Sequence, residues 1–272
     1  FRSYIMTTFP TLPPEWQDWL DSNIKRQVPL TTLATTLSEH GFSEFASTLV
    51  AKPSVALPFI DTTHNSINLD RRMCQITMVC DKPYLVVLDN FLSMDECDQL
   101  ITLSDNKFLD AMVVDDATGD FVKNPHRTSM NTAFNRGENE LISTIEERIA
   151  KLIHWDADRG EGVQVLRYGI GGEYKAHFDF FDPNTKGGQR NMTVGGQRVG
   201  TFLMYLSDVD AGGATRFPSV NLEVRPKAGM AIYFADLLPT GEPDRLSLHA
   251  SIPVIEGTKY LATKWLREKP YG

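Results

Sequence analysis

The run VQVLRYGIGGEYKAHFDF, residues 163–180, sets an imidazole and a carboxylate two positions apart, at His177 and Asp179. On an extended strand, side chains two apart leave the same face, so both groups can address one point in space. One histidine and one carboxylate are two of the three protein ligands of a 2-His-1-carboxylate site, which binds non-haem Fe(II) and leaves coordination positions open for reactants. The pair alone is more often a surface hydrogen bond than a metal site. The candidate third ligand is His249 in SLHASIPVIEGTKYLATKWL, on a strand-like run with apolar Leu248 and Ile252. A turn at Glu256-Gly257 leads into a second strand carrying Lys259, a cation placed to hold an anionic co-substrate beside a metal.

These groups need a scaffold of strands. Val163–Tyr168 reads as one, with Val163, Val165 and Arg167 on one face and Gln164, Leu166 and Tyr168 on the other. Gly169, Gly171 and Gly172 turn the chain, and AHFDF resumes as an extended run whose Phe178 and Phe180 point away from the candidate ligands. Short strands then return at GTFLMYLSDV, NLEVRP, GMAIYFAD, LSLHASIPV and KYLATKWL, separated by Gly and Pro turns, the pattern of a β-barrel or sandwich. Asp182–Arg198 has four glycines and no apolar period, and reads as a flexible lid or an inert surface loop at the mouth of the site.

RYGIGGEYKAHFD, RVGTFLMYLSDVDAGGATRFP and HASIPVIEGTKYLATKWL together resemble the catalytic core of the prolyl 4-hydroxylase family of Fe(II)/2-oxoglutarate-dependent dioxygenases, over roughly residues 84–268. The resemblance implies a double-stranded β-helix (jelly roll) with helices packed outside, an α+β protein. It implies His177, Asp179 and His249 as iron ligands, and Lys259 as the cation for the distal carboxylate of 2-oxoglutarate. Tyr168 and Thr201 match the hydroxyl donors beside that lysine. Trp265, Arg127 and Arg198 are substrate-contact candidates. Fe(II), 2-oxoglutarate, O2 and ascorbate are the implied cofactors, succinate and CO2 the co-products. The implied substrate is proline in a peptide or protein. A hydroxylase of a free amino acid or small peptide-like metabolite, or a non-catalytic jelly-roll binding protein, are the alternatives.

Other chemistry is excluded by missing motifs. GIGGEY starts like a dinucleotide-binding turn, but Tyr174 replaces the third glycine and a strand follows. Walker A, HExxH and GxSxG sequences are absent. The 272 residues carry 42% hydrophobic and 23% charged side chains, as expected of a soluble globular chain, and a net charge of −8 argues against nucleic acid. No apolar run is long enough for a membrane helix. No signal peptide is evident, and Cys74, Cys80 and Cys97 read as free thiols, so a cytoplasmic location is expected. Oligomeric state is not legible.

Residues 1–5 read as a remnant ahead of a natural start at Met6. Residues 6–52 form an N-terminal helical region: EWQDWLDSNIKRQ after Pro13-Pro14, with Trp16, Trp19, Leu20 and Ile24 on one face; a helix from Thr31 or Thr32 to His40, stopped by Gly41; and a third from Ser43. It reads as a docking module or a buttress. Residues 53–75, rich in Pro, Thr, Ser and Asn, read as a linker, and 76–272 as the catalytic domain. Within the latter, Ser93–Glu96 is a capping box, 111–134 a hairpin with a long Asp-rich tip, and Glu138–His154 an amphipathic helix.

Overall fold

A computed structural model of the chain describes residues 12–26, 28–50, 55–69, 72–110, 112–114, 121–123 and 128–272. Arg127 and the Asp115–Asp116 tip lie outside these residues. The chain divides into two compact units, Phe1–Val55 and Ala56–Gly272.

The first unit holds three helices, Pro14–Lys25, Leu30–Glu39 and Ser43–Val50. Leu20, Leu33, Ala34, Leu37 and Ala46 form its own small core, with Trp16 packed against Trp19, His40 and Phe42. Pro13 and Pro29 immediately precede the first two helices, where a fixed φ costs nothing and no N–H is missed. Gly41, at φ +89°, ends the second. His40 is held by Trp16 and by its Nδ1 against the Thr36 carbonyl, a packing role.

The second unit is built on a nine-stranded antiparallel sheet. Its strand order is Ser66–Leu69, Arg72–Asp81, Tyr84–Asp89, Ala231–Ala235, Arg198–Tyr205, Lys259–Arg267, Val163–Tyr168, Met130–Phe134 and Leu109–Asp110. A four-stranded antiparallel sheet, Leu222–Val224, Thr215–Phe217, His249–Ser251 and Tyr174–His177, supplies the opposing wall. Two small ribbons complete it, Ala211–Gly212 with Val254–Glu256 and Met112–Val114 with Phe121–Lys123. The last is the expected hairpin. This is the jelly-roll architecture with helices outside.

Period-two alternation sorts the side chains of the large sheet. Phe202, Met204, Ala262 and Leu266 face outward and pack with Ile142, Ile145 and Ile149 of the helix Glu140–Ile153 and Cys97 and Leu100 of the helix Met94–Ser104. Leu203, Tyr205, Leu261, Leu166 and Tyr168 face inward to a second cluster with Phe217 and Phe234. Each fully buried Leu, Ile or Phe contributes about 1.5–3 kcal/mol, so both faces hold the sheet. Lys264 reaches from the outward face to Glu146 at 2.5 Å, a buried pair tying helix to sheet. Both helices are capped: Ser93 and Glu96 form the expected box, and Asn139 caps the second.

Three expectations are corrected. The linker 53–75 ends early, because Ser66–Leu69 and the long strand from Arg72 are the first strands of the large sheet, with Leu69 and Cys74 buried. Its Ser and Asn content hid a half-buried edge, exposed at Asn68, Met73 and Gln75. AHFDF is not one strand: the strand ends at His177 and the chain bends through Asp179. Asp182–Arg198 is not an open glycine lid. Thr185 caps a short helix, Lys186–Asn191, and a Cβ at Gly188 would lie 1.9 Å from the Asp182 carbonyl oxygen, which is why glycine stands there. Arg267, buried, then clamps the segment by donating to the carbonyls of Asn191, Val194 and Gly196.

Candidate metal centre

His177 and His249 are direct cross-strand partners in the small sheet, so their rings leave one face side by side, with centroids 4.3 Å apart. The bend after His177 swings Asp179 between them. Its Oδ1 lies 3.6 Å from His177 Nε2 and its Oδ2 3.6 Å from His249 Nε2. One donor atom from each residue falls within 4.8 Å of the others, the one such cluster of His, Cys, Asp or Glu among the described residues. Each imidazole is oriented by its other nitrogen: His177 Nδ1 donates to the Lys175 carbonyl at 2.8 Å and His249 Nδ1 to the Ser247 carbonyl at 3.0 Å. The proton therefore sits on Nδ1 and the Nε2 lone pair faces the centre, as a metal ligand requires. Tyr174 stacks on His177 at 3.5 Å, and Phe217 and Phe234 pack around His249.

In the metal-free site burial alone would raise the Asp179 carboxyl, but His249 and His177 when protonated, together with Arg198, outweigh it and hold the group at about 2, and a bound cation would take the place of the imidazolium protons. An ionised carboxylate and two imidazole nitrogens aimed at one point are the donor set of a facial Fe(II) site, and the residues fit that metal.

A narrow pocket opens from these ligands into the barrel. Its walls are apolar at Leu166, Leu203 and Leu261 and polar at Tyr168, Thr215, Ser251 and Trp265. Behind Tyr168 and Ser251 lies Lys259, with no exposed surface. Tyr168 is its cross-strand partner, and the ammonium sits 5.2 Å from that ring and 5.6 Å from the ring of Tyr205. Its Nζ donates to Ser251 Oγ at 2.8 Å, and no carboxylate pairs with it among the described residues. Burial without an anion pushes the amine down to about 7.

The other expected residues divide. Tyr168 and Trp265 line the cavity. The Trp265 indole N–H is buried on the Asp179 side, where it helps hold that carboxyl low. Arg198 is not free to reach a substrate: Glu161 holds it through two bonds of 2.7 and 2.9 Å, and its guanidinium lies 3.9 Å from the Trp265 ring. Thr201 is not beside Lys259. Its register opposite Phe234 and Trp265 turns its hydroxyl to Asp179 Oδ2, at 2.8 Å. The threonines that line the cavity are Thr263 and Thr215, the latter in the quoted GGATRFP, cross-strand from Ser251 and bonded to Tyr205 Oη at 2.7 Å. Ser251 was findable too, because it lies two residues after His249 on the same strand. Glu161 and Asp236 carried no signal.

Residues 163–267 match the family model of the 2OG-Fe(II) oxygenase superfamily. The chain is 39% identical over 231 residues to probable prolyl 4-hydroxylase 3 of Arabidopsis thaliana, covering 77% of this chain and 78% of that protein. It is 36% identical over 189 residues to prolyl 4-hydroxylase subunit alpha-1 of Gallus gallus, covering 70% of this chain and 36% of that one. Among solved structures, the viral collagen prolyl hydroxylase of Paramecium Bursaria Chlorella virus-1, in its 2OG complex, superposes with a TM-score of 0.54 at 31% identity, over 70% of this chain and 99% of that one. The Trichoplax adhaerens prolyl hydroxylase, solved with a hypoxia inducible factor peptide fragment, shares the fold at TM-score 0.52 and 18% identity, over 69% and 85%.

Proposed function

The chain belongs to the prolyl 4-hydroxylase family of Fe(II)- and 2-oxoglutarate-dependent dioxygenases, and we propose that it hydroxylates prolyl residues of a peptide or protein. Bound Fe(II) supplies the redox chemistry that couples oxidative decarboxylation of 2-oxoglutarate by O2, to succinate and CO2, with insertion of one oxygen atom into a substrate C–H bond. His177, Asp179 and His249 would hold the metal, with the two imidazoles locked by their carbonyl partners.

The observation that carries the co-substrate reading is Lys259. A fully buried lysine without an anion is costly, and its position behind the cavity suits the distal carboxylate of a dicarboxylate. Ser251 and Thr215 offer hydroxyls to the same carboxylate, and Leu166, Leu203 and Leu261 keep water from the carbon chain. Trp265, backed by Arg198, walls the metal end. The peptide reading is supported by the curated relatives, which are prolyl 4-hydroxylases.

The test is succinate release from 2-oxoglutarate with Fe(II), O2 and ascorbate as reductant, across proline-containing peptides. Peptide-stimulated succinate with a product heavier by one oxygen atom is expected. Slow release that no peptide stimulates, but a free amino acid does, would overturn the peptide substrate.

A further inference from the structure

Thr201 Oγ1 lies 2.8 Å from Asp179 Oδ2 and 3.0 Å from Asp236 Oδ2. Thr201 and Asp236 have no exposed surface, and Asp179 is 6% exposed. A hydroxyl has one proton and can donate to only one of two carboxylates. Two ionised carboxylates at hydrogen-bond distance from a single hydroxyl would leave one lone pair facing another. As a metal ligand Asp179 must be ionised. The missing proton therefore belongs to Asp236, whose acid O–H donates to Thr201 Oγ1 while Thr201 donates to Asp179.

The surroundings of Asp236 agree. Its other oxygen, Oδ1, is buried with no hydrogen-bond partner, which a neutral acid tolerates far better than an anion. The nearest cation, Arg198, spends its guanidinium on Glu161 and on the Asp179 backbone carbonyl, with no hydrogen bond to Asp236. Complete burial drives the Asp236 carboxyl upward, against help from Thr201 and Arg198.

We propose that Asp236 is a positioning residue for the metal centre: as a neutral acid it fixes the direction of the Thr201 hydroxyl, which occupies one oxygen of Asp179 and leaves the other to bind metal. Single-oxygen ligation by Asp179 keeps coordination positions open for co-substrate and O2. The inference rests on the metal reading of the triad, not on the identity of the substrate.

Infrared spectroscopy and Co(II) titration test it together. Wild-type protein at neutral pH should show the C=O stretch of a protonated carboxyl group, absent from Asp236→Asn; a wild-type spectrum without that band overturns the proposal. Thr201→Val should weaken Co(II) binding by about 10- to 100-fold, the scale for partners of metal ligands. Asp236→Leu should do the same and change the Co(II) visible spectrum, while Asp236→Asn, which keeps an N–H donor, stays within a few-fold. The decisive measurement is the double variant: if Asp236 acts through Thr201, adding Asp236→Leu to Thr201→Val costs nothing further. Additive losses would mean that Asp236 only fills space. If Asp236→Leu does not fold, the infrared band and the Asp236→Asn titration still decide. Tight Co(II) binding without succinate formation would count against the proposed function and leave this inference standing.

Discussion

Asp179 and Lys259 are ionisable groups sunk in the same barrel interior, and the protein treats them in opposite ways. Asp179 is surrounded by answers: two imidazoles, the Arg198 charge and the Thr201 hydroxyl. Lys259 has one hydrogen bond, from its ammonium to Ser251, and the faces of two tyrosines. The acid is held ionised at about 2 while the base is pushed to about 7. One end of the cavity is finished by the protein and awaits a cation. The other is left incomplete for an anion that must come from outside, so each end is expected to be open to disruption independently of the other.

That independence can be broken from either end. The largest effect is expected from His177→Ala, which removes a donor that no neighbour can replace; metal binding and succinate formation should both be lost, and retained Co(II) affinity in a titration would displace the triad. Lys259→Ala should leave the metal affinity unchanged and raise the 2-oxoglutarate KM by about 10- to 100-fold, the worth of a charge-assisted hydrogen bond. An unchanged KM would move the carboxylate site elsewhere. Lys259→Arg should not rescue, because a longer planar head has no room where the native side chain is wholly buried.

The two ends were not equally legible in the sequence. His177, Asp179, His249 and Lys259 could be read because strand alternation and turns placed them, and because the quoted motifs combine specifically. The carboxylate-side hydroxyls depend on which strands pair, and that is not local information. Thr201 and Thr215 are both strand threonines; only the register, Thr201 against Trp265 and Thr215 against Ser251, assigns one to the metal end and the other to the cavity. Asp236 follows an apolar strand like any turn residue, and its burial comes from Thr201 and Val199 across the sheet. The early strands hid behind a Ser- and Asn-rich composition, whereas the three N-terminal helices showed their period and their Pro and Gly boundaries openly.

The Lys259 end also predicts a pH response that the Asp179 end does not. An unperturbed lysine keeps its proton to about 10, but burial brings Lys259 to about 7. Above that value the ligand-free site is increasingly neutral, while the dicarboxylate binds the ammonium form, so binding takes up a proton. The 2-oxoglutarate KM should therefore rise with pH above about 7, approaching tenfold per unit. Over the same window the unfolded chain binds more protons than the ligand-free fold, so the ligand-free fold gains stability as pH rises. The increase in Tm caused by 2-oxoglutarate should shrink accordingly, and an increment flat with pH would mean that Lys259 is charged before the ligand arrives.

The smallest effect should come from Thr215→Val. Tyr205 Oη donates to Thr215 Oγ1 at 2.7 Å, which leaves the threonine's own proton to be given to a carboxylate in the cavity. Valine keeps the shape, removes that donor and strands the buried Tyr205 hydroxyl on its longer contact, 3.2 Å to the Val224 carbonyl. Loss of one hydroxyl donor should raise the 2-oxoglutarate KM by about 5- to 10-fold with Co(II) affinity unchanged. Thr201→Val should show the reverse split, weak metal binding with little change in the carboxylate subsite. If the two threonine variants gave the same pattern, the division of the cavity into a finished acidic end and an open basic end would not hold.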